Sequence, residues 1–222
     1  MLRFIIIFST LWLATSAMAS TMDDDASREL VNKLNTIQSA HAEFKQVTLD
    51  NRGGVLQQTQ GAMWVKRPHA FRWAVKDPYE HIIWSNATDV WMYDVDLEQV
   101  VHSAVASHAG NAPSLLLSGN PQSIATNFTV EKAMERGEQS QFDLTPKDEE
   151  ALFQQLSVVF KDNAIFQIEL IDNLGQRTAI RFQSFEANAT IDGSIFTPDF
   201  PDSVDVIDNH AIDNQAIDNR AT

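Results

Sequence analysis

No cysteine occurs anywhere in the 222 residues. That removes disulfides, thiol nucleophiles and thiolate metal sites together, so stability has to come from an apolar core. Basic residues are also scarce: 16 Lys and Arg stand against 30 Asp and Glu, a formal charge of −14. Such an acidic chain is a poor match for nucleic acid or an anionic membrane surface. Beyond the first 19 residues, no apolar run approaches the ~20 residues of a membrane span. Missing too are a Gly-x-Ser-x-Gly elbow, a His-Glu-x-x-His pair and a phosphate-cradling glycine loop. The six histidines (41, 69, 81, 102, 108 and 210) have no metal-ligand spacing. Asp94-Val95-Asp96 is acidic enough for a divalent cation, but it falls where a strand turn is expected. Nothing calls for a cofactor. Carboxylate pairs for glycoside hydrolysis stay open, because their spacing is spatial rather than sequential.

What is present begins with an address. Met1-Leu2-Arg3 precedes the apolar run Phe4-Ile5-Ile6-Ile7-Phe8, which continues through Leu11-Trp12-Leu13-Ala14. Ala17-Met18-Ala19 then places small residues where a signal peptidase reads them. Residues 1–19 are therefore expected to be a cleaved signal peptide, and loss of Arg3 makes the remainder still more acidic. No cysteine follows the cleavage site, so the exported product has no residue to carry a thioether lipid. Export without an anchor points to the periplasm. The domain expected is 20–202, with 203–222 as an acidic tail.

Leu30, Leu34 and Ile37 recur at spacings of four and three, which predicts an amphipathic helix over Ser27 to Ile37 with Ser27 as N-cap. Short extended runs follow. His41–Leu49 and Val55–Lys66 flank Asp50-Asn51-Arg52-Gly53-Gly54, which reads as a hairpin turn. Phe71, Trp73 and Val75 alternate with smaller or polar residues. Further strands are expected at 81–84, 90–93, 99–102, 128–131, 141–145, 156–161, 165–171, 177–185 and 195–197. Asp172-Asn173-Leu174-Gly175 is a second clear hairpin turn. Short helices are expected around Pro113–Leu117 and Pro121–Ala125. The chain closes on a five-residue period, Val206-Ile-Asp-Asn-His, Ala211-Ile-Asp-Asn-Gln, Ala216-Ile-Asp-Asn-Arg. This period fits neither a helix nor a strand face, which predicts disorder.

A dozen short strands with few helices indicate a mainly β fold, a barrel or a strongly curved antiparallel sheet. With 13 Phe and five Trp, many at alternating strand positions, its concave face either fills a core or lines a cavity.

At Trp64-Val65-Lys66-Arg67-Pro68, followed by Phe71 and Trp73, the sequence resembles the periplasmic outer-membrane lipoprotein carrier (LolA) family. Trp91, Tyr93, Glu98-Gln99, Gly110-Asn111-x-Pro113, Leu144-Thr145-Pro146-Lys147 and Phe196-Thr197-Pro198 follow in the family's order. The likeness runs from about Ser27 to Pro201. It implies an incomplete antiparallel β-barrel with an apolar cavity covered by a helical lid. It further implies a non-enzymatic, monomeric carrier that takes acylated lipoproteins from an inner-membrane ABC transporter and delivers them to an outer-membrane receptor, LolB. That receptor shares the fold but needs a lipidated cysteine, which this chain lacks.

The same resemblance makes Arg67 the latch between barrel and lid; the alternative is a strand-end arginine paired with a surface carboxylate. Phe71 and Trp73 are assigned to the cavity or its rim, against ordinary core packing, and Trp64 and Trp91 to the cavity or the lid. Leu30 and Leu34, with Leu115, Leu116 and Leu117, would form the underside of the lid, or simply pack a helix on a sheet. Two rival classes remain. An envelope lipid or glycan hydrolase would place carboxylates of raised pKa in the cavity. A lipoprotein-sensing domain of the same fold would come with a further domain.

Overall fold

Asp50 and Asp172 do the same job at two corners of the sheet. Each is followed by a glycine with positive φ, Gly53 at 86° and Gly175 at 78°. The Asp50 carboxylate accepts from the N–H groups of Arg52 and Gly54 at 2.8 and 2.7 Å. That of Asp172 accepts from Leu174 and Gln176, both at 2.8 Å. An acidic side chain bonding its own turn, plus a residue without Cβ in the left-handed region, makes a tight reversal. These turns join β1 (Ser39–Leu49) to β2 (Val55–Lys66), and β10 (Ala164–Asp172) to β11 (Arg177–Ala187). Both fall where the sequence placed them. Asp94 likewise accepts from Leu97 N–H at 3.0 Å, so that acidic pair serves a turn.

The computed structural model describes residues 19–105, 116, 117 and 119–209. Between the two hairpins lie β3 (Ala70–Asp77), β4 (His81–Ser85), β5 (Asp89–Asp94) and β6 (Gln99–Ala104), then β7 (Phe128–Arg136), β8 (Gln139–Pro146) and β9 (Phe153–Lys161); β12 (Asp205–Asp208) comes last. The described strands form one sheet in the order β12-β6-β5-β4-β3-β2-β1-β11-β10-β9-β8-β7. Neighbours are antiparallel except β12, which lies parallel to β6. The chain is mainly β, and its sheet is open rather than closed.

Helix α1 (Ala19–Asn35) packs against β7 and the short helix α2 (Ser123–Asn127). Leu30 and Leu34 are fully buried in a cluster with Phe44, Trp73, Phe142 and Phe160. Leucines four apart on a helix share a face, and that face is pressed into the curved sheet. Leu116, Leu117 and Ile124 join the same cluster. Helices thus cover the concave side.

Three expectations need correction. The helix already runs through Ala19–Asn35 instead of starting at Ser27, and no Gly or Pro between Ala19 and Ser27 interrupts it. Ser27 is buried inside that helix, its hydroxyl unpartnered, and caps nothing. The strand expected at 195–197 is a 3-10 turn, Gly193–Phe196, started by the Asp192 side chain accepting from Ser194 N–H at 2.9 Å. The described start of the tail is not structureless: Asp205–Asp208 is β12, because β6 offers it an open edge. The signal-peptide segment up to Met18, the Gly110-Asn111-x-Pro113 motif, Leu115 and residues 210–222 lie outside the described residues.

Candidate functional site: a covered apolar face with an arginine at its rim

The concave face is built by strand parity. On β3, Phe71, Trp73 and Val75 point into the covered core, and Arg72 and Ala74 to the other side. Trp73 stacks on Phe44 with ring centroids 3.7 Å apart, and on Phe71 at 6.1 Å. Phe142 meets Phe160 edge-on at 6.0 Å. The polar side chains buried among the described residues are Ser27, Thr59, Ser103, Ser140 and Ser157, hydroxyls throughout. No carboxylate is buried there. Glu138, whose pKa is raised, lies on the surface, where the Asp162 carboxyl hydrogen-bonded to it favours the protonated form.

Arg67 sits at the exit of β2. Its Nε–H donates to the Ile37 carbonyl at 2.9 Å, one Nη to Leu116 at 3.1 Å, and the other Nη to Gly119. Its own N–H donates to the Gln38 carbonyl at 2.8 Å. One planar guanidinium therefore ties the β2 exit to the segment joining α1 with β1, and to the chain carrying Leu116 and Leu117. Five rigid N–H donors suit several diverging carbonyls in a way that an ammonium does not. Burial pushes its pKa down to about 10, so it remains a cation at neutral pH. Its partners are carbonyl oxygens rather than a surface carboxylate. A cation held only by neutral dipoles is fastened less firmly than one in an ion pair.

Of the sequence-predicted site residues, Arg67, Phe71, Trp73, Leu30, Leu34, Leu116 and Leu117 come together here. Trp64 and Trp91 do not. Trp64 is registered with Arg72, Arg72 with Trp84, and Trp84 with Trp91. Directly paired residues share a face, so both tryptophans lie on the convex side with Arg72. They cannot line the cavity expected of them. The error is one of parity: in Ala62-Met63-Trp64-Val65 every residue is apolar, so alternation gave no sign of which one faces in.

Sequence reasoning named two members of that convex row, Trp64 and Trp91, but not the row itself. It runs through consecutive register partners from His41 and Trp64 over Arg72, Trp84 and Trp91 to His102 and Asp208. His41 stacks on Trp64, and Trp91 on His102, each at 5.0 Å. The Arg72 guanidinium lies 5.0 Å from the Trp64 ring and 5.6 Å from Trp84. Burial lowers the Arg72 pKa, and Asp199 opposes that shift. A second small core of Trp84, Tyr93 and Val100 is covered by Val204 and Phe200. The segment after β11 therefore straps across the outside of the sheet before ending in β12. Hairpin registers would have exposed this row, but they are set by turns and bulges rather than by composition.

Fold and site define a class: an open antiparallel half-barrel whose apolar concave face lies under helices fastened at the rim by one arginine. A model of the family described as outer membrane lipoprotein carrier protein LolA matches residues 35–199. The chain belongs to that family. A relative named outer-membrane lipoprotein carrier protein from Alcanivorax borkumensis is 40% identical over 183 residues, covering 82% of this chain and 88% of its own. One of the same name from Chromohalobacter salexigens is 37% identical, covering 90% and 93%. An uncharacterized conserved protein from Thermus thermophilus has a TM-score of 0.54 at 11% identity, covering 82% of this chain and 98% of that one. The last shares the fold alone.

Proposed function

We propose that the protein is a periplasmic chaperone that carries lipoproteins, holding their acyl chains on its concave face, and that it breaks no bond in its cargo. Residues 1–19 direct export, 20–202 carry the cargo, and the segment from 203 adds an edge strand and the repeats. The inner-membrane ABC transporter loads it, and the outer-membrane receptor LolB unloads it. The observation that carries this reading is Arg67 bonded to Ile37, Leu116 and Gly119 above a face of Phe, Trp and Leu side chains.

The physical case rests on cost and release. Each buried CH₂ is worth about 0.8 kcal/mol, so several bare acyl chains in water face a penalty of tens of kcal/mol as an upper bound. A large apolar face removes most of it. A carrier must also let go. Closing the lid, with the two leucines of α1 on its underside, over Phe44 and Trp73 recovers apolar burial that the cargo would otherwise supply, so closure and cargo compete for one surface. Arg67 adds to the closed side of that competition. Hydrolase chemistry has less support, since the buried polar side chains are hydroxyls and the raised carboxyl, Glu138, is exposed.

The test is extraction. Inner-membrane vesicles holding an active transporter and acylated lipoprotein are incubated with ATP and the mature protein. A soluble one-to-one complex of carrier and cargo is expected. Lipoprotein that stays in the vesicles, with a transporter shown to turn over, overturns the reading.

A further inference from the structure

The strand that fastens the outer strap is the first of three similar units. Val206-Ile207-Asp208-Asn209 recurs as Ala211-Ile212-Asp213-Asn214 and Ala216-Ile217-Asp218-Asn219. The first unit lies parallel along β6, pairing Asp205 with Gln99, Val206 with Val100, Ile207 with Val101 and Asp208 with His102. The N–H of Asp205 donates to Glu98 at 3.0 Å and that of Asn209 to His102 at 2.8 Å. Ile207, midway between them, presents its N–H to the same side by strand alternation. His102 Nδ1 stands 3.3 Å from Asp208 Oδ1.

Side-chain burial selects this occupant weakly. Val206 and Ile207 are 49% and 39% exposed, so no pocket distinguishes Val from Ala at the unit's first position. The β6 edge reads a main chain, an isoleucine and an aspartate beside His102. All three units supply these. A whole unit moved into place, with the preceding five residues looped out, sets each residue on the face of its counterpart. Looping five residues costs little, because closure entropy grows only with the logarithm of length.

We infer that the three Ile-Asp-Asn units are interchangeable occupants of the β6 edge, so that the second or third takes over when the first is lost. The strap over Trp84, Tyr93 and Val100 then stays fastened, and an edge that would otherwise template strand addition stays covered.

Hydrogen exchange of the β6 amides facing β12, in the full mature chain, tests this. Proline cannot donate to a ladder. The single variant Ile207→Pro should exchange within about threefold of the parent, and the triple variant Ile207→Pro, Ile212→Pro, Ile217→Pro at least about thirtyfold faster. Deleting residues 206–210 joins Asp205 directly to Ala211 and should leave exchange at the parental rate. The inference falls if the single variant or the deletion exchanges as fast as the triple, or if the triple stays protected. Protection of the single variant that rises with protein concentration, with dimers in sedimentation, also overturns it, since the occupant is then a second copy's tail.

Discussion

Phe44 on β1 and Trp73 on β3 stack with centroids 3.7 Å apart, although β2 runs between their strands. The residue of β2 registered with Phe44 is Gly61, which contributes no side chain between the rings. Here β3 crowds β2: a Cβ built on Gly61 would lie 2.0 Å from the Ala74 carbonyl oxygen. Backbone cannot yield as a flexible side chain can. Gly61→Ala should therefore force β2 and β3 apart and lose about 3 kcal/mol, the upper end for overpacking. Urea unfolding measures it, and a midpoint equal to the parent's would show that the strands can separate freely.

The three carbonyls on Arg67 give a second prediction. Arg67→Leu keeps the apolar stem but removes every donor to Ile37, Leu116 and Gly119. Bonds from a charged donor are worth about 1.5–3 kcal/mol each when buried, so the open form gains population. Cargo capture from vesicles should persist, while onward transfer to receptor-bearing membranes should slow by tenfold or more, as about 1.4 kcal/mol of lost closure would produce. Arg67→Lys should fall between the two, because a point cation serves fewer diverging carbonyls. Transfer at the parental rate by the leucine variant would remove the latch role.

Strand parity supplies the third. Phe71 lies in the concave cluster and Trp91 on the convex row. Phe71→Leu should weaken capture of an acylated lipoprotein about tenfold, and Trp91→Leu should leave capture unchanged. Equal losses from both would mean that acyl chains reach the outer face, contrary to the face assignment.

Much of this was readable from the chain. Leu30 and Leu34 announce a buried helical stripe through their spacing alone, and Asp50 and Asp172 announce their turns through side-chain chemistry that acts within five residues. Local rules reach that far. Arg67 was found only through likeness to a family, since its partners Leu116 and Gly119 are about fifty residues away and are carbonyls, which no side-chain pattern encodes. The face of Trp64 was unreadable for another reason. Its convex-side partners, His41 and Arg72, are brought to it by strand register, which composition does not encode. Ser27 misled because serine at a helix start and serine inside a buried helix look alike in sequence; packing against the sheet decides between them.

Asp89 closes the set with a pH dependence. Its carboxylate accepts from the Thr88 hydroxyl first, and then from His102 and Asn86, and these bonds hold its pKa below the usual 3.8 against a smaller opposing effect of burial. A carboxylate depressed in the folded state binds fewer protons there than in the unfolded chain. Its contribution is thus complete above the unfolded pKa and is lost as pH falls through the folded one. Asp89 keeps partial contact with solvent, so screening keeps the effect small. It acts at a particular place, however: Asp89 Oδ1 lies 2.9 Å from His102 Nε2, on the strand that receives β12. Between pH 6 and pH 3, the urea midpoint of Asp89→Asn should fall less steeply than the parent's. Asp192 and Glu135 are depressed as well, so part of the acid sensitivity should survive in the variant. Parallel pH profiles would show that the Asp89 carboxylate adds nothing to stability, and that the β5–β6 edge is held by its ladder alone.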